Sequence, residues 1–159
     1  LLVDLLLVRR LRPFSANVGK RLVKSPKLYV RDSGLVHALL GLGEFDSLAG
    51  HPVVGGSWEG FVVENIASAA PEGATLGFYR TSAGAEIDLV LGLPGRPSPW
   101  AIEIKRGLPP RLERGFHLAR ADLRPERSFV VHSGDGRYPI GDGLEAIGVK
   151  ELAEEIACS

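Results

Sequence analysis

Apolar and polar residues alternate most regularly between residues 79 and 105, YRTSAGAEIDLVLGLPGRPSPWAIEIK. Side chains two apart on a strand share a face, so Glu86, Asp88 and Val90 are predicted to point one way and Ile87, Leu89 and Leu91 the other. The second run places Ala101, Glu103 and Lys105 on one face and Ile102 and Ile104 on the opposite, core-facing one. Between the runs, residues 92–99 carry three prolines and two glycines. That is turn chemistry, and it predicts a hairpin that brings Asp88 near Glu103 and Lys105.

Around this hairpin the pattern predicts further elements. Residues 1–8 read as the last turns of a helix, followed by a short basic strand over 8–13 and a loop over 14–25. A strand over 27–30 leads to a helix capped by Asp32 or Ser33 and running to Gly41. Residues 41–56 read as a linker or irregular loop and hold a domain boundary. Ser57 is the expected N-cap of a helix ending before Pro71, with Trp58, Phe61, Val62, Ile66 and Ala69 on its packed face. Three strands follow, over 74–79, 85–91 and 99–105. Pro109 and Pro110 precede a helix over 111–123, and a strand over 128–132 is expected to lie parallel to the 99–105 strand through a right-handed crossover. Residues 134–143 read as a turn-rich loop, 146–149 as an edge strand and 150–157 as a closing helix.

Composition narrows the class. The chain has 159 residues, 45% hydrophobic and 24% charged, enough for one substantial core. The apolar opening LLVDLLLV is broken by Asp4 and ended by Arg9, so no stretch reaches the ~20 residues of a membrane span. A single cysteine, Cys158, excludes a disulfide framework and a thiolate cluster and fits a reducing cytoplasm. The chain opens at Leu1 and has no methionine, which leads to the expectation of a piece of a longer protein. Nineteen basic residues balance nineteen acidic ones, but the bases crowd the start: Arg9, Arg10, Arg12, Lys20, Arg21, Lys24, Lys27 and Arg31. This basic segment is either a DNA-facing surface or a solvated face that packs on a neighbouring domain.

Asp88, Glu103 and Lys105 carry the candidate chemistry. Two carboxylates on adjacent strands, with the carbonyl of Ile104, suit a hard cation such as Mg²⁺ or Mn²⁺. Lys105 beside them suits stabilisation of charge on a phosphate. The alternative is an ordinary pair of strand acids with a surface salt bridge. Arg80 lies where the hairpin approaches this patch and suits either a phosphate contact or an ion pair with Glu86. The histidines, His37, His51, His117 and His132, show no ligand spacing. No phosphate-binding loop pattern is present, so no ATP site is expected within the chain.

Asp88 followed by an apolar strand, a turn and IEIK resembles the PD-(D/E)xK nuclease superfamily over roughly residues 57–132. WEGFVVENI, YRTSAGAEIDLVL and AIEIKRG, preceded by KRLVKSPKLYVRDSGLVHALLG, resemble the C-terminal domain that follows an AAA-type ATPase module in many bacterial and archaeal proteins. The resemblance implies an α/β, restriction-endonuclease-like core over 57–159, a mixed sheet flanked by helices, preceded over 1–45 by a remnant of a winged-helix-like unit. It implies a metal site of Glu59, Asp88 and Glu103 with Lys105 as the catalytic lysine; Glu64 is the alternative helix acid. Ile87 stands where the motif has proline. The implied substrate is DNA, with Arg80, Arg9, Arg10, Lys20, Arg21 and Lys24 as contacts. The implied partner is an ATPase domain upstream in the same polypeptide, and a homo-oligomer is compatible with this picture. The implied activity is phosphodiester hydrolysis; a catalytically silent module for DNA binding, dimerisation or partner recognition is the other expectation.

Overall fold

The computed structural model describes residues 1–15, 19–107, 110 and 112–159. Its centre is a six-stranded mixed sheet in the order β3-β4-β5-β6-β8-β7. The strands are β3 (Thr75–Arg80), β4 (Glu86–Gly92), β5 (Trp100–Ile104), β6 (Arg127–His132), β7 (Arg137–Gly141) and β8 (Leu144–Gly148). The β3–β4 and β4–β5 pairs are antiparallel, whereas β5–β6 and β6–β8 are parallel. The parallel pairing of β5 with β6 is the one expected from the helix between them, α4 (Arg114–Leu123). Residues 109 and 111 of the expected 111–123 helix and its proline lead lie outside the described residues.

Both faces of the sheet are covered, which is why β5 is buried at every position. On one face α3 (Val53–Ala69) and α5 (Val149–Ala157) bring Val62, Val63, Ile66, Leu152 and Ile156 onto Phe78, Leu91, Ile102, Phe129 and Ile147. On the other, Phe116 and Ala119 of α4 meet Tyr79, Ile87, Val90, Ala101 and Val130. The result is an α/β fold with a mixed six-stranded sheet flanked by helices. Among the described residues, no helix is long and apolar enough to cross a membrane.

A two-stranded antiparallel ribbon, β1 (Val8–Leu11) with β2 (Lys27–Val30), stands apart from this sheet. Arg9 of β1 and Arg31, the residue after β2, both clasp Glu64 of α3. After β1 the chain runs along the outer edge of β3, where Phe14 N donates to Phe78 O and Phe78 N donates to Arg12 O. Gly77 permits this approach, because a Cβ there would fall 2.9 Å from backbone atoms of Arg12 and Phe14. The edge of β3 is thereby covered rather than left open for pairing.

Several expectations are corrected. Residues 2–6 form turns rather than the end of a helix, closed by Leu6 in a left-handed conformation. The 41–56 linker contains a helix, α2 (Phe45–Ala49), and the first turn of α3. Ser57 is not a cap: α3 starts at Val53 behind Pro52, and the Ser57 hydroxyl pairs with His37 of α1 (Ser33–Leu39) at 2.6 Å. Gly55 and Gly56 mimic a break in the sequence, but tertiary packing carries the helix through them. Phe61 is 39% exposed and leaves the packed face to Val62, Val63 and Ile66. Asp32 does cap α1, accepting from Leu35 N at 3.1 Å. The 134–143 loop contains β7, and β7 rather than the 146–149 segment is the edge strand, with β8 inside it.

Candidate active site

The period-two reading of β4 fails at one place, and the failure builds the site. Gly77 pairs with Val90 but Tyr79 pairs with Ile87, so Asp88 and Leu89 together oppose the single residue Phe78. This is a β-bulge, which shifts the facing of everything beyond it. Ile87 and Val90 consequently pack in the same cluster, while Leu89 and Leu91 lie in the opposite one. Strict alternation would have put Ile87 with Leu89 and Leu91. The Asp88 carboxylate turns toward β5, where its Oδ2 accepts the Ile104 N–H at 3.1 Å.

Glu103 and Lys105 leave the end of β5 beside Asp88, as the hairpin predicted. Lys105 Nζ lies 2.8 Å from Glu103 Oε1. The second oxygen, Glu103 Oε2, is buried and has no hydrogen-bond partner among the described residues. An orphaned carboxylate oxygen in a native interior asks for a ligand, since leaving it unpaired costs about 1–3 kcal/mol. Burial and then the neighbouring Asp88 charge push the Glu103 carboxyl up to about 7, against the pull of Lys105. Asp88 is also raised, chiefly by burial.

Glu59 reaches the same cleft from the second turn of α3. Because α3 begins at Val53, the helix dipole that a first-turn position would have offered is largely lost. Its position is fixed by the ribbon instead: Lys27 Nζ lies 2.8 Å from Glu59 Oε1, and the Tyr29 hydroxyl donates to the same oxygen at 2.5 Å. Lys27 also lies 3.2 Å from Asp88 Oδ1 and 3.4 Å from Glu86 Oε1. Burial works against its charge, but Asp88 and Glu59 outweigh it and raise its pKa. Burial, then the bond to Glu59, raises the Tyr29 phenol and keeps it a donor. Arg80 completes the rim by pairing with Glu86 at 2.8 Å, the bland alternative for that arginine.

These groups line a cleft of about 640 Å³, closed on the far side by Glu113, Arg114 and Gly115 at the start of α4. Glu64, the alternative helix acid, is elsewhere, held by Arg9 and Arg31. Of the basic residues proposed to meet DNA, Arg9 is thus engaged internally and Lys20 pairs with Asp122. Arg10 and Lys24 border a separate shallow groove with Arg12. His51 and His132 accept backbone N–H groups through Nδ1, as structural histidines do.

Lys27 and Tyr29 were not among the site residues read from sequence. The available signal was their spacing: two apart on one strand, they present an ammonium and a phenol on one face. Which carboxylate they would meet is a tertiary matter. Among the described residues no group of three His, Cys, Asp or Glu side chains forms a ready-made metal cage. Lys27 sits between Glu59 and Asp88, so the pair that fits a hard cation is Asp88 with Glu103, whose free Oε2 is the open donor.

Residues 54–152 match a family described as Domain of unknown function (DUF4143), a domain found in AAA-ATPase-associated proteins. Residues 1–46 match a second family, Domain of unknown function (DUF8612). The chain is 42% identical over 152 residues to Rv2008c, an uncharacterized protein of Mycobacterium tuberculosis, and equally to Mb2031c, an uncharacterized protein of Mycobacterium bovis. The matches cover 95% of the chain but 34% of each relative, so the chain spans about a third of their length. No solved structure matches the chain. With the bulge, Asp88, Glu103 and Lys105 all inside the first match, which covers well over half of the sequence, the chain belongs to the DUF4143 family.

Proposed function

We propose that the cleft is a divalent-metal-dependent site for phosphodiester hydrolysis in DNA, carried by a PD-(D/E)xK, restriction-endonuclease-like core. The observation that supports this most is the buried, unpartnered Glu103 Oε2 beside Asp88 on the adjoining strand, with Lys105 on Glu103's other oxygen. Burial raises both carboxyls, and the Asp88 charge raises Glu103 further, so the two acids are costly to keep without a cation. Asp88, fixed by the Ile104 N–H, and Glu103 would hold Mg²⁺ or Mn²⁺, with Glu59 as the third acid of the site. Such an ion, when bound, lowers the pKa of its water and neutralises phosphate charge.

The residues of the chain divide the remaining work. Lys105, charged and anchored by Glu103, stabilises negative charge on the phosphate as the bond breaks. Arg80, half exposed at the mouth, meets a flanking phosphate by exchanging its partner Glu86. Glu103 would hold the ion, and its bond to Lys105 keeps the lysine beside it. In the whole protein this domain would work in the cytoplasm beside an AAA-type ATPase domain of the same polypeptide.

A silent module for DNA binding, dimerisation or partner recognition is the second reading, favoured by one fact: Glu59 is already neutralised by Lys27 and Tyr29. Calorimetric titration with Mg²⁺ and Mn²⁺, followed by cleavage assays on single-stranded and duplex DNA, separates the two. The nuclease reading expects binding that disappears in Asp88→Ala and Glu103→Ala and cleavage that also needs Lys105. Absence of metal binding in the unaltered chain favours the silent module.

A further inference from the structure

Granted the metal-dependent site proposed above, we propose that Lys27 is its resident cation, a positioning residue that occupies the space between the acids and sets how strongly a divalent ion can bind. The ammonium touches three carboxylates from two different elements: Glu59 of α3 and Glu86 and Asp88 of β4. It is only 19% exposed, and the Phe78 ring lies 5.6 Å beneath it. Tyr29, two residues on, bonds the same Glu59 oxygen, so the strand grips the acid at two points. A chance surface lysine has none of this; exposed ion pairs are single and loosely held.

The charge balance shows what Lys27 does. Glu59, Glu86, Asp88 and Glu103 face Lys27, Lys105 and Arg80, which leaves one net negative charge among the paired side chains. Without Lys27 the deficit doubles, and the lost charge is the one that lies 3.2 Å from a proposed metal ligand, Asp88. A divalent ion approaching Asp88 is therefore repelled by Lys27 at close range in a half-buried setting. Lys27 also belongs to the region matched by DUF8612, whereas all four acids lie in the DUF4143 match. The ribbon, pinned to α3 by Arg9 and Arg31 on Glu64, thus reaches across a family boundary to govern the cation affinity of the neighbouring site.

Mn²⁺ titrations of the 159-residue chain, followed by calorimetry, test this with Lys27→Met, Lys27→Arg and Glu103→Gln, each checked for native circular dichroism. Lys27→Met is expected to bind Mn²⁺ on the order of tenfold more tightly than the unaltered chain, with Lys27→Arg restoring the original affinity. Binding seen only in Lys27→Met supports the role of Lys27 and makes the unaltered domain, with Lys27 in place, the silent module. Equal or weaker binding in Lys27→Met overturns it while leaving the metal site intact, provided Glu103→Gln still abolishes binding. No binding in any variant overturns this proposal and the metal site together. If Lys27→Met does not fold, Lys27→Gln replaces it, with the same tightening expected and an unchanged affinity overturning the idea.

Discussion

Glu103→Gln is expected to stabilise the metal-free protein, and to do so only on the alkaline side. The Glu103 carboxyl is displaced from its ordinary 4.5 to about 7, first by burial and then by Asp88. Below about pH 4.5 the folded and unfolded chains both carry the proton, and glutamine mimics that form at nearly the same shape. Between about 4.5 and about 7 the unfolded chain releases the proton while the folded one keeps it, so stability falls as pH rises. Above about 7 the full cost is present, about 3 kcal/mol for a displacement of this size. Glutamine never incurs that cost. Urea unfolding in EDTA at intervals from about pH 4 to about pH 8 should show Glu103→Gln gaining on the unaltered chain by about 3 kcal/mol across the range. Asp88 titrates with Glu103 as a pair, so the rise will be spread over more than one pH unit. Saturating Mn²⁺ should then erase the advantage at about pH 8 by supplying the countercharge that glutamine cannot use. A stability difference that stays flat with pH would refute the claim that this carboxylate is held in a buried, charge-poor place.

Three further outcomes are expected. Glu64→Gln should destabilise the fold by about 1–3 kcal/mol in urea unfolding, because it strips the shared partner from Arg9 and Arg31. Glu64 is held below its usual range, net of burial, by these arginines, so its contribution is present above about pH 4.5 and lost as pH falls through the lowered value; the variant should therefore show less acid sensitivity. Gly115→Ala should lower the melting temperature, since a Cβ there would stand 2.5 Å from the Gly84 carbonyl oxygen, a backbone atom that cannot rotate away; the overpacking, about 1–3 kcal/mol, exceeds the ~1 kcal/mol that alanine adds to a helix. Lys105→Ala should not weaken Mn²⁺ binding in calorimetry, since it removes an ammonium beside the ligand Glu103, but should reduce DNA cleavage by on the order of 100-fold, and an unchanged cleavage rate would remove Lys105 from the chemistry.

Much of the sheet was legible because its strands are short apolar runs bounded by glycine and proline. β3, β4, β5 and β6 fall within a residue or two of the positions that the pattern predicts, and the hairpin brings Asp88, Glu103 and Lys105 together as expected. Less legible were the elements whose local signals conflict with their packing. Gly55 and Gly56 read as a break, yet α3 runs through them because α1, α2 and β2 pack along it. Arg137 to Gly141 reads as loop, yet it pairs antiparallel with β8 and forms the edge. A strand's exposed residues carry no hydrophobic period to detect, and only a partner reveals it.

The sequence by itself determined which residues are acids and lysines in apolar strands, and the two-residue spacing that puts Glu103 with Lys105 and Lys27 with Tyr29 on common faces. These follow from backbone geometry that every strand shares. Only the tertiary structure decided that Asp88 sits in a bulge, that Glu59 rather than Glu64 joins the cleft, and that Lys27 stands among the acids. Each of those depends on contacts spanning from 10 to more than 60 residues of chain, and a charge's neighbour at that separation is chosen by packing, not by local pattern.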